Sequence, residues 1–251
     1  MSNEIEKSNS DINKSNTSVG KIKIGQGMMA GVIGALSSIE LPRLFNQLII
    51  FLLDGSGSMS FKGDSGKSKG HEVHNAVANV IERLKESKNK SSFDVALWAF
   101  ANETVKMFPE KPVNEYDLKK DCFNPCEFIS DYSSTKLSEA LSNANYQASK
   151  YFEKYKNQNT KVLVIILGDG AINDYNKCFT LKEEMSRNNS ISFSTILFSS
   201  PNWDEEYDSS IIDKLKEDFS NLASTEADYM STVDVEKIRN HMIQSITKIN
   251  I

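Results

Sequence analysis

Two short apolar runs constrain the fold of this chain more than any other feature of its sequence. Residues 48–53 have the sequence LIIFLL, and residues 162–167 have the sequence VLVIIL. A strand with apolar side chains on both faces must be covered on both faces, which is typical of a parallel sheet flanked by helices. The chain is therefore predicted to form a sheet that is buried between two layers of helices.

Amphipathic segments separate the predicted strands. Apolar residues recur at helical spacing from Val73 to Leu84 and again from Leu137 to Tyr155. Residues 104–108 alternate in polarity after a turn near Asn102, which predicts a reversed strand at one edge. The predicted fold class is α/β, with a doubly wound, mostly parallel central sheet, one antiparallel edge strand and helices on both faces. Further strands are predicted at 93–101, 191–198 and 228–231, and further helices at 179–185, 211–222 and 235–246.

Composition changes along the chain and suggests three parts. Residues 1–20 are almost entirely polar, so we expect a disordered tail. Residues 21–40 form an extension rich in Gly and Ala, whose role the sequence does not indicate. Its apolar stretch, 28–39, is shorter than a membrane-spanning helix. Residues 41–251 are predicted to form a single α/β domain.

Charge and cysteine content restrict the class of protein. The formal net charge is −5, which argues against a nucleic-acid partner. Three cysteines are an odd number and do not suggest a disulfide framework. The first residues lack the basic and apolar regions of a signal peptide. We therefore expect a cytoplasmic protein without a membrane span.

Hard oxygen ligands follow the first apolar strand. Asp54, Ser56 and Ser58 alternate with Gly55 and Gly57. Carboxylate and hydroxyl oxygens suit Mg²⁺, Mn²⁺ or Ca²⁺ better than Zn²⁺. The alternative interpretation is an ordinary Gly/Ser-rich turn with a helix N-cap.

A second aspartate, Asp169, follows the apolar strand 162–167. Ligands of open α/β sheets bind beyond the carboxyl ends of the strands, where the strand order reverses. Two carboxylates at this edge would repel each other, and a divalent cation would relieve the repulsion. Ser134 or Thr135 is expected to cap the helix that begins near Lys136, a role that still allows Thr135 to offer its hydroxyl to a metal.

Asp54-x-Ser56-x-Ser58, Thr135 and Asp169, in this order, resemble the metal-ion-dependent adhesion site (MIDAS) of von Willebrand factor A domains. The resemblance implies that the three hydroxyls bind a cation, most simply Mg²⁺, and that the two aspartates act directly or through water. It also implies that one coordination position is left for an acidic side chain of a partner. Many members have Thr or Ser where this chain has Gly168.

Side chains near this site are predicted to contact the partner from its rim. For Trp203 the alternative is packing within its own loop. Selectivity is expected to come from the loops 61–70, 109–134 and 199–207. The predicted rim residues are Met59, Phe61, Lys62, Tyr132 and Trp203.

The predicted function is a non-enzymatic, divalent-cation-dependent protein-binding module, in which an Asp or Glu of a protein partner completes the metal coordination. The resemblance extends to stand-alone bacterial A domains of stress-response and tellurite-resistance gene clusters, which implies an intracellular scaffold or adaptor in a stress-response or conflict-type system. Two alternatives stay open. One is a metal-dependent phosphoesterase that uses the same aspartates, and the other is a membrane- or complex-associated structural component that acts through residues 21–46.

Overall fold

The structure is a computed structural model, and it describes residues 43, 45–200, 203 and 208–248. The predicted tail and extension, together with most of the loop 199–207, lie outside the described residues. Within the described part of the chain, no helix is long and apolar enough to cross a lipid bilayer.

The described residues form one six-stranded sheet. Its strands are β1 (Asn46–Asp54), β2 (Phe93–Phe100), β3 (Thr104–Pro112), β4 (Thr160–Gly168), β5 (Ile191–Phe198) and β6 (Tyr229–Thr232). They lie in the order β3-β2-β1-β4-β5-β6, and the pairing of β2 with β3 is antiparallel while the other pairs are parallel. The prediction of a mostly parallel sheet with one antiparallel edge strand is confirmed.

Helices cover both faces of the sheet because side chains of a strand alternate between its two faces. Ile49, Phe51 and Leu53 of β1 pack into one apolar core, and the intervening leucines and isoleucine of β1 pack into the other. The first core contains α1 and α5, and the second contains α2, α3 and α4. The helices are α1 (Lys69–Glu86), α2 (Ser138–Lys154), α3 (Tyr175–Ser186), α4 (Ser209–Leu222) and α5 (Val235–Lys248).

The strand order places a reversal point at the carboxyl end of β1. The chain passes from β1 to β2 on one side, whereas β4 lies on the other side of β1. Leu53 pairs in register with Leu167, so Asp54, the last residue of β1, and Asp169, the first residue after β4, lie at the ends of two adjacent parallel strands. The sheet therefore brings both predicted aspartates to the edge where α/β proteins bind ligands.

The edge strand β3 is longer than predicted. It extends to Pro112, although the sequence after Phe108 was expected to be irregular up to Ser134. An edge strand pairs on one side only and can carry charged residues and proline, so its last residues lack an apolar signature. Helix α3 likewise begins at Tyr175, four residues before the predicted start at Phe179.

A buried histidine links α5 to the sheet and gives a prediction for stability. His241 Nε2 lies 3.1 Å from the backbone oxygen of Asp228 and 3.1 Å from Ser194 Oγ, and burial lowers the His241 pKa from its ordinary value of 6.5. Because the folded chain disfavours the protonated ring, the unfolded chain binds more protons below pH 6.5. We expect the contribution of His241 to the free energy of unfolding to decrease as the pH falls below this value, opposite in sign to the contribution of Asp54, whose pKa is raised.

Urea denaturation at pH 7.5 and pH 5.5 measures this effect. The His241→Gln variant keeps a side-chain N–H donor but does not titrate, so the unmodified chain should lose stability relative to this variant between pH 7.5 and pH 5.5. A pH dependence as steep as that of the unmodified chain would contradict the assignment to His241.

Candidate metal centre

The loop after β1 folds back on the carboxylate that precedes it. Asp54 is the last residue of β1 and is fully buried. The Ser56 backbone N–H donates to Asp54 Oδ1 at 2.8 Å. A 3₁₀ turn over Gly57–Ser60 then places Ser58 Oγ 3.1 Å from Ser56 Oγ. The alternating spacing thus gathers one carboxylate and two hydroxyls in a small volume.

The second strand end joins the same group of oxygens. Ser58 Oγ donates a hydrogen bond of 2.6 Å to Asp169 Oδ1, directly after β4. Thr135 is held to the loop that follows Asp169, because its backbone N–H donates to Asn173 Oδ1 at 2.7 Å and its carbonyl accepts from the Asn173 backbone N–H at 2.8 Å. The structure therefore brings together the three segments that carry the predicted ligands.

The predicted helix cap is wrong. Helix α2 begins at Ser138, and neither Ser134 nor Thr135 caps it. Asp174 accepts instead from the backbone N–H groups of Leu137 at 2.9 Å and Ser138 at 3.1 Å. The carboxylate of Asp174 thus accepts the hydrogen bonds of the free N–H groups at the start of α2, and Thr135 does not cap this helix.

Asp54 is the electrostatic centre of the cluster. Burial, together with the nearby charge of Asp169, raises the pKa of Asp54 to about 7. Asp54 Oδ2 is buried and has no hydrogen-bond partner among the described residues. A buried carboxylate oxygen without a donor is costly, and a bound cation would remove that cost.

The donor set suits a hard divalent cation. The described residues contain no group of three or more His, Cys, Asp or Glu side chains that could hold a metal by themselves. This cluster depends instead on hydroxyl and carboxylate oxygens, which Mg²⁺, Mn²⁺ and Ca²⁺ prefer. The residues present therefore fit a divalent cation.

The glycine before Asp169 has a local explanation. A Cβ atom at Gly168 would lie 3.0 Å from Asp54 Oδ2 and 3.1 Å from Phe219 Cζ. A side chain at this position would press on the unpartnered oxygen of Asp54. The close packing around Asp54 thus leaves little room for a Thr or Ser side chain at residue 168.

Sequence reasoning missed a lysine in this cluster. Lys69 Nζ donates to Asp169 Oδ2 at 2.8 Å, and the two side chains are 4% and 0% exposed. Lys69 is the first residue of α1, where the helix dipole disfavours a cation. This mismatch between residue type and helix position was the signal that could have identified it.

The predicted rim residues divide into an exposed group and a buried group. Phe61 is 68% exposed and Tyr132 is 62% exposed, and Lys62 is also exposed. Tyr132 contacts residues 55–60, the loop after β1 that carries Ser56 and Ser58 (the metal loop), since its carbonyl accepts from the Gly57 backbone N–H at 3.3 Å.

Met59 and Trp203 require a correction. Both side chains are buried, Met59 in the core that contains α1 and Trp203 in the core that contains α4. Burial of large apolar side chains is favourable, and the turn after Ser58 points Met59 inward. Neither residue offers an exposed contact to a partner in this structure, and for Trp203 the alternative of packing is the one observed.

Comparison with known families agrees with this geometry. The family model of the von Willebrand factor type A domain matches residues 49–240. The chain belongs to this family. Von Willebrand factor type A domains are known for metal-dependent protein interaction through a MIDAS, and the chain shares their α/β fold.

Solved structures give the same fold at low sequence identity. The SpaC pilus adhesin of Lactobacillus rhamnosus GG has a TM-score of 0.63 at 9% identity, covering 84% of this chain and 31% of the adhesin. Proximal thread matrix protein 1 of the mussel byssus, solved with a zinc-occupied MIDAS, has a TM-score of 0.53 at 18% identity, covering 81% of this chain and 46% of that protein. BatB from Bacteroides thetaiotaomicron, a conserved hypothetical protein, has a TM-score of 0.56 at 14% identity, covering 82% of this chain and 99% of BatB.

The chain spans less than half the length of the first two of these proteins. No curated protein matches the sequence.

Proposed function

We propose that this von Willebrand factor type A domain binds a divalent cation through Asp54, Ser56, Ser58, Thr135 and Asp169, and uses it to dock an acidic side chain of a protein partner. The observation that carries the proposal is the buried, unpartnered Oδ2 of Asp54 beside two hydroxyls and a second carboxylate. A cation at this place satisfies the oxygen and reduces the repulsion between the aspartates.

Three of the five proposed ligands are neutral, and one of the two aspartates, Asp169, is already paired with Lys69, so the cation keeps positive charge to offer. Ser56, Ser58 and Thr135 supply hydroxyl oxygens, and the two aspartates supply the negative charge. Mg²⁺ commonly keeps exchangeable waters, which an Asp or Glu of a partner can replace. We propose Mg²⁺ as the ion, with Mn²⁺ or Ca²⁺ as alternatives that bind the same oxygens.

The donor set favours binding over hydrolysis. Metal-dependent phosphoesterases generate a nucleophile and stabilise a leaving group with a charge-rich metal site. Here hydroxyls form most of the proposed ligands, and Asp169 is paired with Lys69. We therefore propose a non-enzymatic scaffold or adaptor. We also propose that it acts inside a bacterial cell, on the strength of the resemblance of its sequence to stand-alone bacterial A domains.

Affinity capture tests the proposal. The purified chain is incubated with cell lysate in Mg²⁺ and in EDTA, and the Asp54→Asn variant is incubated in Mg²⁺. We expect the same partner to be captured by the unmodified chain in Mg²⁺ and lost under both other conditions. Partners retained under all three conditions would show that the metal face is not the binding surface.

The exposed aromatic residues of the rim give a prediction about the partner surface. Replacing Phe61 and Tyr132 with serine should weaken partner binding by about tenfold or more, because exposed aromatic residues near the centre of an interface contribute strongly to affinity. The affinity for Mg²⁺ should not change, since neither side chain is a proposed ligand. Isothermal titration calorimetry measures both affinities.

Tyr146 provides a matched control for the aromatic substitutions. It is 67% exposed and lies in the middle of α2, so Tyr146→Ser removes a similar surface at another place. Equal losses of partner affinity in the rim and control variants would contradict a rim-specific contact.

A further inference from the structure

Three charged side chains of the described residues meet at the proposed metal site. Asp54 and Asp169 bring two carboxylates, which carry two negative charges when a cation is bound between them, and Lys69 brings one positive charge to within 2.8 Å of Asp169 Oδ2. The other oxygen of Asp169 accepts from Ser58 at 2.6 Å. Both oxygens of Asp169 are thus occupied by groups of the chain itself.

Burying the positive charge of Lys69 at this position is energetically unfavourable, which suggests that the charge has a role. Its side chain is almost completely buried, although lysines are rarely buried unless they are paired. It also stands at the start of α1, against the helix dipole. The aromatic ring of Phe198, whose centroid lies 5.9 Å from Lys69 Nζ, adds a weak favourable contact.

The charge balance connects Lys69 to the metal. Two aspartates alone would neutralise a divalent cation, and the site would then have little attraction for a further carboxylate. With Lys69 present, the chain contributes one net negative charge, so a bound divalent cation leaves one positive charge. Because the groups are buried, this charge is poorly screened by solvent.

We propose that Lys69 is an internal counter-ion of the metal site. Its ammonium group neutralises Asp169 when no metal is bound. When metal is bound, it weakens the affinity of the free chain for the ion and keeps the site one positive charge short of neutrality. The missing charge is the one that an Asp or Glu of the partner supplies, so stable metal occupancy is coupled to docking. This inference rests on the proposed function.

Substitution of Lys69 separates this role from simple packing. Lys69→Met keeps most of the side-chain volume and removes the charge, whereas Lys69→Arg keeps the charge. Lys67→Met is the matched control, because Lys67 is exposed and lies two residues earlier, in the loop that precedes α1. Each protein is purified with Mn²⁺ bound, and its Mn²⁺ affinity is measured by competition with a chelating dye, so a variant that needs metal to fold is still measured.

We expect Lys69→Met to bind Mn²⁺ about tenfold more tightly than the unmodified chain, because a repulsive charge near the ion is gone. Lys69→Arg and Lys67→Met should stay close to the unmodified chain. In EDTA, Lys69→Met should melt about 5–10 °C lower, since Asp169 is left as a buried charge without its partner. Saturating Mn²⁺ should remove most of that loss.

Two results would overturn the inference. One is an unchanged or weaker Mn²⁺ affinity in Lys69→Met. The other is a loss of melting temperature that is the same with and without Mn²⁺, which would make Lys69 a structural partner only. Failure of the proposed function is distinguishable, because the unmodified chain would then bind Mn²⁺ no better than Asp54→Asn does.

Discussion

Replacing Asp54 with asparagine is expected to remove metal binding and, at the same time, to stabilise the metal-free chain. The substitution removes a negative charge from the proposed cation site, and we expect the affinity for Mg²⁺ or Mn²⁺ to fall by about a hundredfold or more. In EDTA the effect on folding has the opposite sign. Asp54 is buried, its pKa is raised to about 7, and its Oδ2 has no partner among the described residues, so a neutral amide is easier to bury.

Calorimetric titration and thermal unfolding of the same samples measure both effects. Asp64→Asn is a suitable control. Asp64 is exposed on the nearby loop, so this substitution removes the same charge without changing a residue of the cluster. A lower melting temperature of Asp54→Asn in EDTA would contradict this account, because it would show that the carboxylate stabilises the metal-free fold. Unchanged metal affinity would remove Asp54 from the proposed ligands.

The second large effect is expected at Asp94, far in sequence from the metal loop. Asp94 is buried at the start of β2 and accepts hydrogen bonds from Arg43 Nη2 at 3.1 Å and from Tyr151 Oη at 2.7 Å. Tyr155 Oη accepts from Arg43 Nη1 at 2.9 Å and completes the network. Asp94→Ala leaves a half-buried guanidinium and a buried hydroxyl without their acceptor, so we expect a loss of about 3 kcal/mol in the free energy of unfolding.

Chemical denaturation measures the loss at Asp94. Asp94→Asn keeps an acceptor for Tyr151 and should lose less than Asp94→Ala. Glu153→Ala removes one partner of an exposed pair with Lys150, whose charged atoms are 3.5 Å apart, and should leave stability unchanged. An Asp94→Ala variant as stable as Glu153→Ala would contradict a stabilising role for the buried network.

The fold was predictable because its signals are local. Residues 48–53 and 162–167 are apolar on both faces, and the segments around them carry apolar residues at helical spacing. The alternation of strand and helix therefore follows from the sequence. The strand order required the structure, because it depends on contacts between distant segments. The end of β3 was missed for a different reason, since its last residues, 109–112, are mostly half-buried on an edge strand and have no apolar pattern to detect.

The candidate site was partly predictable. All the predicted ligands except Thr135 lie at or just after the ends of β1 and β4, and the register of these two strands brings Asp54 and Asp169 to the same edge. Asp174 and Lys69 were missed because their partners lie on other elements, 36 and 100 residues away. The rim prediction for Met59 failed because neighbouring residues on a tight turn can point to opposite sides.

The most direct test of the central claim is a crystal structure of the chain grown with Mn²⁺, with anomalous diffraction data that locate the ion. We predict an anomalous peak beside the hydroxyls of Ser56, Ser58 and Thr135, with a coordination position that faces solvent between Phe61 and Tyr132. A map with no peak at this place under saturating Mn²⁺, or with Mn²⁺ bound elsewhere on the domain, would contradict the claim that these residues form a metal-dependent docking site.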